Sequence, residues 1–127
     1  MKTVVVAALT ALVVAVAHPV GALSAAGPLW TVGQAQDHIL LDTDDHVYLR
    51  GHTYWLSFDF CAGIGPPVTT PPSRWRHFVC RIDTSRGTAP HRVRVCITVR
   101  LDTSLGPNHM TLLDAPGPAA LRAKTGC

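Results

Sequence analysis

Regular alternation of apolar and polar residues is the main structural signal in this chain. It is clearest over residues 92–101, where an aliphatic residue occupies every second position: Val93, Val95, Ile97, Val99 and Leu101. Successive side chains of a β-strand point to opposite faces. The pattern therefore predicts a strand with one buried face. Its other face is predicted to hold three arginines, a threonine and a cysteine: Arg92, Arg94, Arg100, Thr98 and Cys96.

Weaker alternation predicts more strands before and after this one. Residues 75–83 place Phe78, Cys80 and Ile82 on one face. Residues 53–60 place four large apolar side chains on one face: Tyr54, Leu56, Phe58 and Phe60. Shorter strands are expected at 46–50 and 109–113, with a tight turn at Gly51-His52 after the first.

A helix is predicted at residues 32–41, ahead of the strands. Thr31 and Gln34 have the spacing of a capping box, and Val32, Ala35 and Ile39 fall on one helical face. Residues 42–45, Asp-Thr-Asp-Asp, favour a turn that ends the helix. One N-terminal helix followed by four or five strands, without further helices for crossovers, predicts an α+β domain with an antiparallel sheet.

The first 26 residues have the features of a secretory signal peptide. Lys2 is followed by an uncharged apolar run at residues 3–17, and small residues at 24–26 suit cleavage. The run is shorter than the roughly 20 residues of a membrane-spanning helix. We therefore expect a secreted protein without a membrane anchor after signal removal: signal peptide 1–26, a single domain 27–115 and a partly ordered tail 116–127.

Four cysteines follow the signal region, and they permit three pairings. The strand patterns place Cys80 on the core face and Cys96 on the opposite face, which disfavours a bond between these two. Cys61 lies at a strand end next to glycines, where the chain can turn towards Cys80. The tail can bring Cys127 to Cys96. The predicted disulfides are thus Cys61–Cys80 and Cys96–Cys127, and oxidised cysteines fit an exported protein.

Composition and charge change this picture only slightly. The net charge is +3 and includes Lys2, so the chain after the signal is mildly basic. Seven arginines lie between positions 74 and 100. Such asymmetry can attract an anionic partner or simply form a solvated face. Nucleic acid is a poor partner for an exported protein with so little charge.

Short motifs with catalytic associations have simpler structural explanations. The pattern R-[IL]-D-T-S-x-G occurs twice, around Asp83 and Asp102, and resembles the loop of aspartic proteases. Each aspartate is expected to end a strand and bond to a turn. Residues 42–45 lack the glycine and glutamate of a calcium loop, and the histidines have no metal-binding spacing. We predict no metal, no cofactor and no catalytic residue.

The longest predicted loop is residues 62–74, which contain four prolines and two glycines. A Cys61–Cys80 disulfide would hold both ends of this loop and reduce the entropy lost on binding. Candidate binding residues beside it and along the arginine-rich face share cationic or aromatic character: Trp75, His77, Arg81, Arg92, Arg94 and Arg100.

A loose pattern links three segments of the chain. It comprises Trp30-Thr31-Val32-x-x-Ala35, then residues 61–65 (Cys-Ala-Gly-Ile-Gly), then residues 75–82 (Trp-Arg-His-Phe-Val-Cys-Arg-Ile). This pattern resembles small exported proteins of unassigned function from high-GC bacteria. The resemblance implies a helix-plus-sheet domain with a Cys61–Cys80 bridge and no particular activity. In outline the arrangement is also similar to cystatin-like and β-lactamase-inhibitor-like modules.

The predicted function is a small secreted binding or inhibitor-like module rather than an enzyme. Its partner would be an extracellular protein or an anionic surface polymer. The alternative is a small secreted hydrolase that uses aspartate or histidine residues brought together by the fold.

Overall fold

The computed structural model describes residues 26–127, so the predicted signal peptide lies almost entirely outside the described residues. Within the described residues, the fold comprises five strands, two α-helices and a short 3-10 helix at Pro107–His109. In chain order the strands and α-helices are α1 (Val32–Asp42), β1 (His46–Leu49), β2 (His52–Gly63), β3 (His77–Arg86), β4 (Val93–Asp102), β5 (Thr111–Leu113) and α2 (Ala119–Thr125). Among residues 26–127, no helix is both long and apolar enough to cross a membrane.

The first helix forms where the capping signal predicts it. The Thr31 hydroxyl accepts a hydrogen bond from the Gln34 amide at 3.1 Å, and the Gln34 side chain accepts one from the Thr31 amide at 2.9 Å. Two backbone donors of the first turn are therefore satisfied. Ala35 and Ile39 are buried, and the helix ends at the predicted Asp-Thr-Asp-Asp turn.

The sheet is an antiparallel meander that curls into a half-barrel, with strand order β1-β2-β3-β4-β5. The predicted α+β class, the antiparallel sheet and the two disulfides are confirmed.

Arg50 follows β1, and its guanidinium donates to the Leu112 carbonyl oxygen and to the Asp114 carboxylate, each at 2.7 Å. This side chain thereby links the two edges of the curled sheet.

The two longest strands have the faces that their alternation predicts. Phe78, Cys80 and Ile82 of β3 lie opposite Leu101, Val99 and Ile97 of β4. All six are buried, and with Ala35 and Ile39 of α1 they form the centre of the core. We call this side of the sheet the inner face. The outer face is the opposite side, which contains Arg81, Asp83, Arg94 and Cys96.

The predicted face of β2 is wrong beyond Leu56. The register slips between Leu56 and Phe58, leaving Ser57 as the extra residue of a β-bulge. Because a shift of one residue exchanges the two faces of a strand, Phe58 and Phe60 leave the predicted core face. Their places on the inner face are taken by Asp59 and Cys61, both of which are buried.

The bulge also explains the geometry of the first disulfide. Cys61 and Cys80 are direct cross-strand partners on β2 and β3, with Cα atoms 4.1 Å apart. The pairing is as predicted. Its cause is different, since Cys61 reaches the inner face through the bulge rather than through a turn at the end of the strand.

The region predicted as a partly ordered tail contains a helix. Helix α2 begins after Pro118, and Gly126, with φ of 74°, ends it in the left-handed conformation that glycine adopts without steric cost. Leu121 and Thr125 are buried against the outer face of the sheet. The Cys96–Cys127 disulfide fixes the end of this helix to β4, as the strand pattern predicts.

Candidate functional site

The loop between β2 and β3, residues 64–76, projects from one end of the sheet, and we call it the proline loop. Its middle closes into a small hairpin: the Val68 amide donates to the Arg74 carbonyl at 2.8 Å, and the Arg74 amide donates to Thr69 at 3.1 Å. Apolar side chains are left exposed on it, with Ile64 41% and Val68 53% accessible. The loop is therefore ordered but presents apolar surface to solvent.

Trp75 attaches the proline loop to the sheet. Its indole nitrogen donates to the Gly65 carbonyl at 2.9 Å, and its ring lies at Gly63. A Cβ atom at Gly63 would lie 2.2 Å from that ring, so only glycine allows this contact. Trp75 also exchanges two backbone hydrogen bonds with Trp30, at 2.8 and 3.0 Å. The segment before α1 thus holds the returning arm of the loop.

Arg81 and Arg94, two of the candidate binding residues on the outer face, bind within the protein. Arg94 forms a bidentate ion pair with Asp83 at 2.9 and 3.0 Å and also donates to the Thr125 carbonyl. This pairing raises the pKa of Arg94. Arg81 donates to the Thr98 hydroxyl at 2.9 Å and to the main-chain oxygen of Cys127 at 2.6 Å. Both arginines hold α2 in place.

The other candidates are distributed over the length of the molecule. Arg92 lies over the ring of Trp55, with its guanidinium carbon 4.4 Å from the ring centroid. His77 lies opposite Asp102 near the proline loop, with Nδ1 3.6 Å from the carboxylate. Arg100 is exposed. The structure therefore does not bring the six predicted residues together in one site, and Trp75 contributes to the loop rather than to the arginine-rich face.

The two aspartates of the repeated motif do not form an acid–base pair. Asp83 lies in the middle of β3, contrary to its predicted position at a strand end, and is paired with Arg94. Asp102 ends β4 as predicted, and its carboxylate accepts hydrogen bonds from the Ser104 amide and hydroxyl, which lower its pKa. Asp102 lies opposite His77, six residues from Asp83, or about 20 Å along the strand.

A buried carboxyl group was missed by the sequence reasoning. Asp59 is 6% exposed on the inner face, and burial together with the nearby charge of Asp37 raises its pKa from 3.8 to about 7. Its side chain lies 3.9 Å from the disulfide-bonded Cys61 sulfur and accepts a hydrogen bond from its own backbone amide, which lowers the pKa less than burial raises it. The strand pattern gave no signal, because without the bulge Asp59 would face solvent.

No metal site is formed by the part of the chain that the structure describes, where no three His, Cys, Asp or Glu side chains are grouped to hold an ion. Both disulfides are formed, and residues 26–127 contain no free cysteine. Among the described residues, the candidate binding features are the exposed proline loop and the charged side chains of the surface.

Comparison of the chain with protein families, curated proteins and solved structures finds no match.

Proposed function

We propose that this protein is a small secreted binding module that recognises a partner through the proline loop. The observation that supports this proposal is the combination of exposed apolar side chains, Ile64 at the start of the loop and Val68 on its first arm, with an ordered base at Trp75. Exposed apolar side chains on a projecting loop are a common means of protein recognition.

The base of the loop is held from three directions. The Cys61–Cys80 bond joins the two strands that lead into and out of it. The Trp75 ring packs at Gly63, and the backbone of Trp30 pairs with that of Trp75. A loop that is already ordered loses less conformational entropy on binding, so more of its contact energy becomes affinity.

Secretion is part of the same proposal. Residues 1–26 have the charge and hydropathy pattern of a signal peptide. The two disulfides fit an oxidising compartment, because disulfides are rare in reducing cytosol. The resemblance to small exported bacterial proteins agrees with this location. We propose an extracellular protein as the partner, since the exposed surface of the loop is mainly apolar and proline-rich.

The test compares two pairs of exposed apolar residues. The protein without residues 1–26 is immobilised and used to capture partners from the culture medium of its source, in unmodified form and as the double variant Ile64→Ser/Val68→Ser. The matched control is Leu41→Ser/Leu105→Ser, which changes residues 78% and 59% exposed outside the loop. We expect the loop variant to lose at least tenfold of the captured partner and the control to lose less than twofold.

Equal capture by the loop variant and the unmodified protein would contradict recognition through the loop. Detection of the protein only inside cells, with residues 1–26 still attached, would contradict secretion. These two outcomes are independent, so each part of the proposal is tested separately.

A further inference from the structure

A concavity lies at the end of the sheet opposite the proline loop. It has a volume of about 590 Å³ and lies between the β1–β2 turn and the β3–β4 hairpin. The residues that line it include Tyr48, His52, Arg86, His91, Val93 and Val95. Arg86 is nine residues along β3 from His77, so about 30 Å of strand separates this concavity from the proline loop.

The walls of the concavity are held in place by contacts of the two turns that border it. The β1–β2 turn is fixed by Arg50, which donates to Leu112 and Asp114 across the half-barrel. In the β3–β4 hairpin, the His91 amide donates to the Thr88 carbonyl at 2.8 Å. Gly87 has φ of 107°, and a Cβ atom there would lie 2.9 Å from the His91 carbonyl oxygen. The hairpin geometry therefore depends on this glycine.

The polar groups of the concavity are all neutral or cationic. One guanidinium, two imidazoles and the hydroxyl groups of Tyr48, Thr53 and Thr88 line it, and the lining contains no carboxylate. Within residues 26–127, the Arg86 side chain has no hydrogen-bond or ion-pair partner, in contrast to Arg50, Arg81 and Arg94. A guanidinium presents paired donors whose geometry matches a carboxylate or a phosphate.

The remaining surface is apolar. Val93 and Val95 project from β4, and the ring of Tyr48 comes from β1. An oxyanion bound to Arg86 alone would leave this surface in water. A ligand that also has a ring or short hydrocarbon body would cover it and gain from its burial.

We propose that this concavity binds a small organic anion, with its carboxylate or phosphate on Arg86 and its apolar body against Val93 and Val95. The two histidines, His52 and His91, lie at the same site and donate hydrogen bonds to the anionic group. The site is separate from the proline loop and does not depend on the function proposed for it.

The experiment is a titration of the full domain followed by NMR. Phenyl phosphate is the first probe, and inorganic phosphate and phenol separate the contributions of charge and apolar body. We expect saturable shifts of the His52 and His91 imidazole signals and of the Val93 and Val95 methyl signals with phenyl phosphate. Each half-probe should bind at least tenfold more weakly. Benzoate then shows which oxyanion binds more tightly.

Two variants that remove one positive charge each provide the control. Arg86→Gln should weaken phenyl phosphate binding at least tenfold, whereas Arg100→Gln, on the outer face, should change it less than twofold. Arg86→Lys keeps the charge and loses the paired donors, so it should give an intermediate loss and serves if Arg86→Gln does not fold. Absence of saturation, equal weakening by Arg86→Gln and Arg100→Gln, or shifts confined to residues 64–76 would overturn the proposal.

Discussion

The two faces of the sheet are covered by helices that are held in different ways. On the inner face, α1 packs Ala35 and Ile39 onto a fully buried layer that includes Phe78 and Val99. On the outer face, the seven-residue helix α2 buries only Leu121 and Thr125. Its position depends on arginine hydrogen bonds to main-chain oxygens and on one disulfide.

This difference follows from how much apolar surface each helix supplies. A longer helix with an apolar face gains enough from burial to stay in place, whereas a single short helix does not. A covalent bond and charge-assisted hydrogen bonds can replace the missing burial. We therefore expect changes on the inner face to affect global unfolding and changes on the outer face to have smaller, local effects.

The largest effect is expected from Phe78→Ala. This side chain is 0% exposed at the centre of the inner face, and truncating a buried phenylalanine costs about 3–5 kcal/mol of unfolding free energy. The matched variant is Phe58→Ala on the outer face, where the side chain is 42% exposed and the loss should stay below about 1 kcal/mol. Chemical denaturation of both variants measures the difference. Similar losses would show that the two faces contribute equally to stability.

The second effect should depend on pH and comes from Asp59. Its pKa is about 7 in the folded state and near 3.8 when unfolded, so the folded protein binds the extra proton between these values. Stability from this group is therefore fully present below pH 4 and is lost as pH rises through 7. Asp59→Asn removes this loss and should stabilise the protein at pH 8 by on the order of 2–4 kcal/mol.

Denaturation at several pH values between 4 and 8 tests this sign. The gap between Asp59→Asn and the unmodified protein should be small at pH 4 and widen until about pH 7.5. Asp37→Asn is the control, because it removes only the neighbouring charge and should give a smaller gain of the same sign. A gap that is independent of pH would contradict the raised pKa of Asp59.

The alternation of β3 and β4 was sufficient to predict their faces and to disfavour a Cys80–Cys96 bond, because no bulge interrupts these strands. In β2, one extra residue at Ser57 reversed the pattern, and alternation alone does not reveal a bulge. Helix α2 is seven residues long and follows two prolines, so its sequence gave no helical period.

The two candidate sites also differ in how far the sequence predicts them. The proline loop was predictable because all of its residues are consecutive in the chain. The concavity at Arg86 was not, since its lining comes from four strands and two turns whose arrangement depends on the curl of the sheet. Alternation places the arginines on the outer face, but it does not reveal that Arg81 and Arg94 donate to main-chain oxygens of the distant residues Cys127 and Thr125.

The smallest of the three stability effects is expected from the outer disulfide. In the chain-entropy description, a bond that closes a 31-residue separation contributes about 3–4 kcal/mol. However, α2 can detach without unfolding the sheet, which limits the global loss from Cys96→Ser/Cys127→Ser to about 1–2 kcal/mol. Amide exchange should show α2 losing its protection while β3 keeps most of its own.

The control is Cys61→Ala/Cys80→Ala, which removes the buried inner bond and should instead reduce protection throughout the sheet. Uniform loss of protection in the outer variant would mean that α2 and the sheet unfold as one unit, and that the two faces are not held independently.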